Sequence, residues 1–133
     1  MRPLTILVVD DVADTCRMYA GYFRFVGANV VIAQDGVEAL EAVNHHHPDA
    51  VLLDLAMPRM TGLEVMRTLR RETRHRDLPI VALTGQVSEG QQEAALAAGA
   101  DLYLTKPCLP HVVFNFIVQL LRGGPGPARK SAV

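Results

Sequence analysis

Cysteine is scarce in this chain. Cys16 and Cys108 are the two among 133 residues, and neither sits in a metal-site or redox-pair spacing. That excludes cysteine-based metal and redox chemistry and leaves both as small apolar packing residues. Long apolar runs are missing too. No uninterrupted stretch approaches the roughly 20 residues of a bilayer-spanning helix, so no membrane association is expected. Charge of one sign is also lacking: the formal net charge is −1, which gives no support to a nucleic-acid surface, and none is expected. Met1-Arg2-Pro3 leads directly into strand-like sequence, with no charged segment, apolar core and small-residue cleavage site. The expected location is therefore the cytoplasm. With 50% hydrophobic residues, the chain has material for one core and one domain.

Four short apolar runs stop at a reactive polar residue. Ile6-Leu7-Val8-Val9 meets Asp10-Asp11, Val51-Leu52-Leu53 meets Asp54, Ile80-Val81-Ala82-Leu83 meets Thr84, and Leu102-Tyr103-Leu104-Thr105 meets Lys106. Runs of this length between helical stretches read as strands of a parallel sheet covered on both faces. Helix starts are marked by Asp35-Gly36-Val37-Glu38 and Ser88-Glu89-Gly90-Gln91, each with a capping side chain three residues before Glu or Gln. Val37, Leu40 and Val43 recur at helical spacing, as do Leu63, Met66 and Leu69 after Thr61-Gly62. Gly27 and Gly99 stand where helices would end. The pattern is βα repeated five times, with strands at about residues 4–9, 29–33, 50–54, 79–84 and 101–105. A domain over residues 1–122 is expected, followed by a flexible Gly/Pro-rich tail or truncated linker at 123–133.

Parallel strands place their carboxyl ends along one edge, so Asp10, Asp11, Asp54, Thr84 and Lys106 should converge. Gathering carboxylates in a partly dry cleft costs free energy unless a cation neutralises them, which makes this edge the candidate active site. A dinucleotide-binding fold would need a glycine-rich loop after the first strand; Asp10-Asp11-Val12-Ala13-Asp14 occupies that turn and would repel phosphate without a metal. The flavodoxin-like order 2-1-3-4-5 instead puts the ligand-binding switch point between strands 1 and 3, where the acidic residues are. The expected fold is thus a doubly wound (βα)5 three-layer sandwich. Asp10, Asp11 or Asp14 could alternatively cap the following helix. His45-His46-His47 reads as a solvated helix end, because adjacent helical residues point in different directions and cannot share one ion. Arg67, Arg70, Arg71, Arg74 and Arg76 are interrupted by acidic residues and read as a solvated face.

Asp10-Asp11, Asp54-Leu55-Ala56-Met57-Pro58-Arg59-Met60-Thr61-Gly62, Ala82-Leu83-Thr84-Gly85 and Tyr103-Leu104-Thr105-Lys106-Pro107 resemble, in order and spacing, the receiver domain of two-component response regulators, over roughly residues 4–122. The resemblance implies Asp54 as phosphoacceptor and Asp10 and Asp11 as an acidic pair holding a divalent metal, with the backbone carbonyl of Ala56 a further ligand. It implies Thr84 and Lys106 as partners of the phosphoryl oxygens, Tyr103 as an aromatic switch coupled to Thr84, and a cis peptide at Lys106-Pro107. The chemistry agrees. A carboxylate is a competent nucleophile toward phosphorus, and phosphoryl transfer needs mainly alignment and charge neutralisation, which Mg2+ or Mn2+ among oxygen ligands supplies. Ala56 and Gln86 resemble the variable positions that flank the phosphoryl pocket and tune hydrolysis.

The expected function is a phosphorylation-dependent signalling switch charged by a histidine kinase or histidine phosphotransfer protein. It would act as an enzyme only on itself. The alternative is a metal-dependent phosphatase with an aspartate nucleophile. That chemistry usually wants a second carboxylate two residues after the nucleophile and a cap over the substrate, whereas position 56 is Ala and no insertion is long enough. A flavin-binding module is disfavoured by the acidic first turn. On the first helix, Met18, Tyr22 and Phe25 form a stripe beside the core face of Cys16, Tyr19, Ala20 and Phe23, and Met18 and Tyr22 are the expected contacts of the phosphodonor. On the last helix, Val113, Phe114, Ile117 and Leu121 are expected on the sheet, leaving Val112, Phe116 and Leu120 as an uncovered row for a homodimer or a downstream protein target.

Overall fold

The computed structural model describes residues 2–85 and 88–123; Gln86 and residues 124–133 of the expected tail lie outside them. In chain order the elements are β1 (Thr5–Val9), α1 (Ala13–Phe25), β2 (Asn29–Ala33), α2 (Gly36–His46), β3 (Ala50–Asp54), α3 (Gly62–Arg71), a 3-10 turn (Thr73–His75), β4 (Ile80–Thr84), α4 (Glu89–Ala98), β5 (Leu102–Thr105) and α5 (Pro110–Leu121). Each strand lies within one residue of its expected bounds. The sheet is parallel in the order β2-β1-β3-β4-β5, the flavodoxin-like arrangement. Alternation along each strand divides the core in two. Leu7, Val9, Val51, Leu53, Ala82 and Tyr103 pack with α2, α3 and α4. Ile6, Val8, Leu52, Val81, Leu83 and Leu104 pack with Cys16, Tyr19 and Phe23 of α1 and Val113 and Ile117 of α5. Among the described residues, no helix is long and apolar enough to cross a membrane.

The helix boundaries have local causes. Asp35 accepts from the Glu38 N–H at 2.8 Å, but the Glu38 carboxylate accepts from Gln34 rather than Asp35, one residue before a reciprocal cap would place it. Ser88 accepts from Gln91 at 3.1 Å. The reciprocal box occurs instead on α3, where Thr61 Oγ1 accepts from the Glu64 N–H and Glu64 Oε1 accepts from the Thr61 N–H. His47 closes α2 in the left-handed region at φ 49, and all three histidines of the run are exposed. The arginine run is not uniformly solvated. Arg70 is half-buried: Nε and Nη2 donate to the Gly99 carbonyl at 3.2 and 2.7 Å, Nη1 to the His75 carbonyl at 2.8 Å, and Nη2 also reaches Asp101 at 3.2 Å. It satisfies the carbonyl just past the end of α4, where backbone partners run out. Gly99 has φ 121, and a Cβ there would lie 2.6 Å from Arg70 Cγ, so glycine is required twice over.

Burial along α5 is shared more evenly than the expected two rows. Val113 and Ile117 are buried, while Val112, Phe114, Phe116, Leu120 and Leu121 are all half-buried. Phe116 and Leu120, expected without cover, pack against the core on the α1 side of the sheet together with Phe114 and Leu121. The apolar arc of this helix is wider than the strip one sheet edge can cover, so its flanks share partial contact.

Candidate functional site

Strand register builds the site. Val9 pairs with Leu53 and Asp54 with Leu83, so Asp10 and Asp54 leave adjacent strands at one level. Thr84 pairs with Thr105, and the Lys106 N–H donates to the Thr84 carbonyl at 2.7 Å, bringing the ammonium-bearing side chain to the same edge. All five expected residues therefore sit together at the carboxyl ends of β1, β3, β4 and β5. Asp10, Asp54 and Thr84 are buried; Asp11 is exposed. Carboxylate oxygens of Asp10, Asp11 and Asp54 lie within 4.8 Å of one another. Lys106 Nζ stands 3.0 Å from Asp10 Oδ2 and 3.9 Å from Asp54 Oδ1. None of the acidic residues caps α1, whose N-cap is Val12 with no side-chain hydrogen bond. Asp10 Oδ1 instead accepts from the Val12 N–H at 2.9 Å, turning the chain away from the strand end.

Three negative charges thus face one ammonium. Burial and the neighbouring Asp10 raise the proton affinity of Asp54 above the ordinary carboxylate range, while the Ala56 N–H, 3.2 Å from Oδ1, and Lys106 pull the other way. An all-oxygen donor set with residual negative charge fits a hard divalent cation. Beneath it, the buried Cys16 thiol donates to the Asp10 carbonyl at 3.2 Å, and burial pushes its pKa up to about 11, so it stays protonated and serves as packing. The Tyr19 hydroxyl donates to the Cys108 carbonyl at 2.7 Å and ties α1 to the segment after the Lys106-Pro107 peptide, which is cis. Tyr103 is buried on the α3/α4 side of the sheet.

Two contacts around the site could not be read from the sequence pattern. A Cβ on Gly62 would come within 2.6 Å of the Asp54 carbonyl and 2.8 Å of Leu55 Cα, so the start of α3 presses directly on the backbone of the acidic strand end. Val12 and Leu109 stand exposed in the segments following β1 and β5. The stripe on α1 divides. Met18 and Phe25 point outward, 48% and 85% exposed, whereas Tyr22 is half-buried and packs edge-on against His111 and Phe114 of α5 at centroid distances of 6.5 and 6.2 Å.

The sequence profile of the response regulator receiver domain matches residues 6–117. Response regulator MprA of Mycobacterium sp. (strain KMS) is 49% identical over 105 residues, covering 79% of this chain and 45% of the relative. The MprA protein of Mycobacterium leprae (strain TN) is 44% identical over 119 residues, covering 90% and 51%. The chain therefore spans about half the length of these relatives. Among solved structures, the chemotaxis protein CheY4 of Vibrio cholerae superposes with TM-score 0.83 at 29% identity, covering 88% of this chain and 98% of that one. A CheY-like receiver domain protein of Methanospirillum hungatei JF-1 gives 0.85 at 26%, covering 91% and 95%. With a profile that covers most of its length, relatives at nearly half identity and the acidic edge in place, the chain belongs to the response regulator receiver domain family.

Proposed function

We propose that Asp54 is the phosphoacceptor of a signalling switch, charged by a histidine kinase or histidine phosphotransfer protein. The observation that carries the reading is the cluster of Asp10, Asp11 and Asp54 oxygens within 4.8 Å, with Lys106 at 3.9 Å from Asp54. An Asp54 carboxylate oxygen forms the new O–P bond as the P–N bond of the donor phosphohistidine breaks; the leaving nitrogen keeps the electron pair and takes a proton from solvent. Lys106 and the Thr84 hydroxyl engage the transferred phosphoryl oxygens. Mg2+ or Mn2+, held by Asp10, Asp11, Asp54 and the Ala56 carbonyl, would supply the remaining positive charge. Engagement of Thr84 repacks the surroundings of Tyr103 and passes the signal to the α4/β5/α5 surface. The protein turns over its own aspartyl phosphate and no metabolite, and acts in the cytoplasm. Residues 1–122 form the receiver. Met18, with Tyr22 behind it, meets the phosphodonor, and Phe116 belongs to a surface for a second copy or a downstream target.

Incubation with acetyl phosphate and magnesium should add one phosphoryl group by mass spectrometry, and Asp54→Asn should abolish it; stoichiometric labelling of that variant refutes the assignment. Two further arms address the partners. Met18→Glu should slow transfer from a kinase and leave acetyl phosphate labelling intact, with equal loss in both counting against docking on α1. A protein that sediments as a monomer in both phosphorylation states counts against the dimer.

A further inference from the structure

Away from the acidic edge, a groove of about 400 Å³ lies between α3 and α4, lined by Arg67, Arg70, Arg71, Ala94, Ala97 and Ala98. Its two walls differ in kind. The short alanine side chains of α4 open the space, and α3 presents three guanidinium groups to it. Arg70 is committed to the Gly99 and His75 carbonyls and to Asp101, which fixes it where α4 ends. Arg67 and Arg71 are exposed, and neither forms an ion pair with a carboxylate among the described residues. Several nearby carboxylates are engaged elsewhere, Glu64 in its cap with Thr61, Glu72 with Arg74 and His75, Asp101 with Arg70 and the Ile80 N–H, while Glu93 of α4 is exposed and forms no ion pair among the described residues. The result is a concave site lined by three guanidinium groups, of which Arg70 alone is paired with a carboxylate, Asp101, among the described residues.

We propose that this groove binds the pyrophosphate group of a small phosphoanhydride, either a nucleoside diphosphate or inorganic pyrophosphate. Arg67 and Arg71 are four residues apart on one helix and therefore stand about 6 Å apart along its axis. From that separation their long, flexible side chains can converge on two linked phosphates, each met by parallel N–H donors of one guanidinium. The groove is about one helical turn long, too short to seat a docked helix, and its volume falls within the roughly 300–1,000 Å³ of small-molecule sites. The alanine methyls and the aliphatic stems of the arginines give an apolar surface on which a flat ring can lie. The proposal is independent of the chemistry at Asp54.

Binding is tested on the full chain in buffer containing EDTA, so that no metal can recruit phosphate to the acidic edge. ADP, inorganic pyrophosphate and adenosine are titrated separately, with amide shifts followed by NMR and affinity by calorimetry. ADP and pyrophosphate should shift amides of α3 and α4 saturably, and adenosine should not. Tighter binding of ADP than of pyrophosphate assigns the nucleotide; equal binding assigns the inorganic anion. Arg71→Ala should weaken binding about tenfold and Arg67→Ala/Arg71→Ala should remove it, both with unchanged thermal unfolding because the two side chains are exposed. Arg71→Lys, which keeps the charge and loses the fork, should also bind more weakly than the parent. No saturable shift at α3 and α4, or an affinity unaltered in the folded double variant, overturns the proposal.

Discussion

Asp11 differs from its two acidic neighbours in being exposed, while Asp10 and Asp54 are buried and within reach of Lys106. A cation held at this edge would draw on the one carboxylate that the protein itself does not neutralise. Asp11→Ala should weaken magnesium binding by ~10-fold or more in a calorimetric titration, since an anionic oxygen is lost from a site with few ligands. An unchanged affinity would place the ion elsewhere. The same substitution leaves the Lys106–Asp10 pair intact and relieves repulsion within the trio, so the metal-free variant should unfold at the same temperature as the parent or higher. These acidic residues were legible because each ends an apolar run. The contacts of Gly62 and Arg70 were not, because they depend on what approaches in space: the Asp54 carbonyl in one case and the end of α4 in the other.

Among the elements, α3 begins in direct contact with the backbone of the acidic strand end. Its capping box satisfies two orphan N–H groups at the point where Gly62 touches the β3 backbone. Thr61→Ala should cost about 1 kcal/mol in denaturant unfolding. Gly62→Ala should cost more than that and slow acetyl phosphate labelling as well, because the clash is with backbone that cannot rotate aside. A loss of stability with unaltered labelling would mean that the clash is absorbed by α3 alone. Capping residues and amphipathic spacing placed the helices, yet they could not separate the flanks of α5 or the two halves of the α1 stripe. Tyr22 and Phe25 are both apolar and neighbours on the helix surface, but only the position of α5 decides that one is covered and the other is not.

For the whole molecule, the pH-sensitive anchors lie at the amino edge of the sheet, opposite the acidic site. Asp49 accepts two hydrogen bonds from Arg2, at 2.6 and 2.9 Å, and one from the Thr5 N–H. The Arg2 guanidinium holds its carboxyl below the ordinary range against the opposing effect of burial. His75 is buried, with Nε2 2.8 Å from Asn44 Oδ1 and 3.2 Å from Glu72, and burial lowers its pKa despite the Glu72 charge. Both folded values are depressed, so the unfolded chain binds more protons and stability rises with pH through each titration. The histidine contribution is complete above about pH 6.5 and declines as pH falls below it; the aspartate contribution is complete above about pH 4 and declines below that. These two groups should therefore lower the unfolding free energy in two stages on acidification, opposed by Asp54, whose raised proton affinity favours the folded state as pH falls, and Asp49→Asn should flatten the lower stage. A curve for that variant parallel to the parent's below pH 4 would remove Asp49 from the account.

Strand number, strand order and the identity of the acidic, hydroxyl and ammonium residues followed from the sequence alone. Short apolar runs separated by helical periods admit few parallel arrangements, and each such strand must present its last residue at one common edge. Distances and partners did not follow. That Asp10 pairs with Lys106, that Arg70 leaves an otherwise exposed row of arginines to hold the end of α4, and that α3 and α4 enclose a cationic groove all required the tertiary structure. A sequence pattern reports which face of an element is apolar, whereas contact between faces depends on how the layers twist and how deeply each helix settles on the sheet.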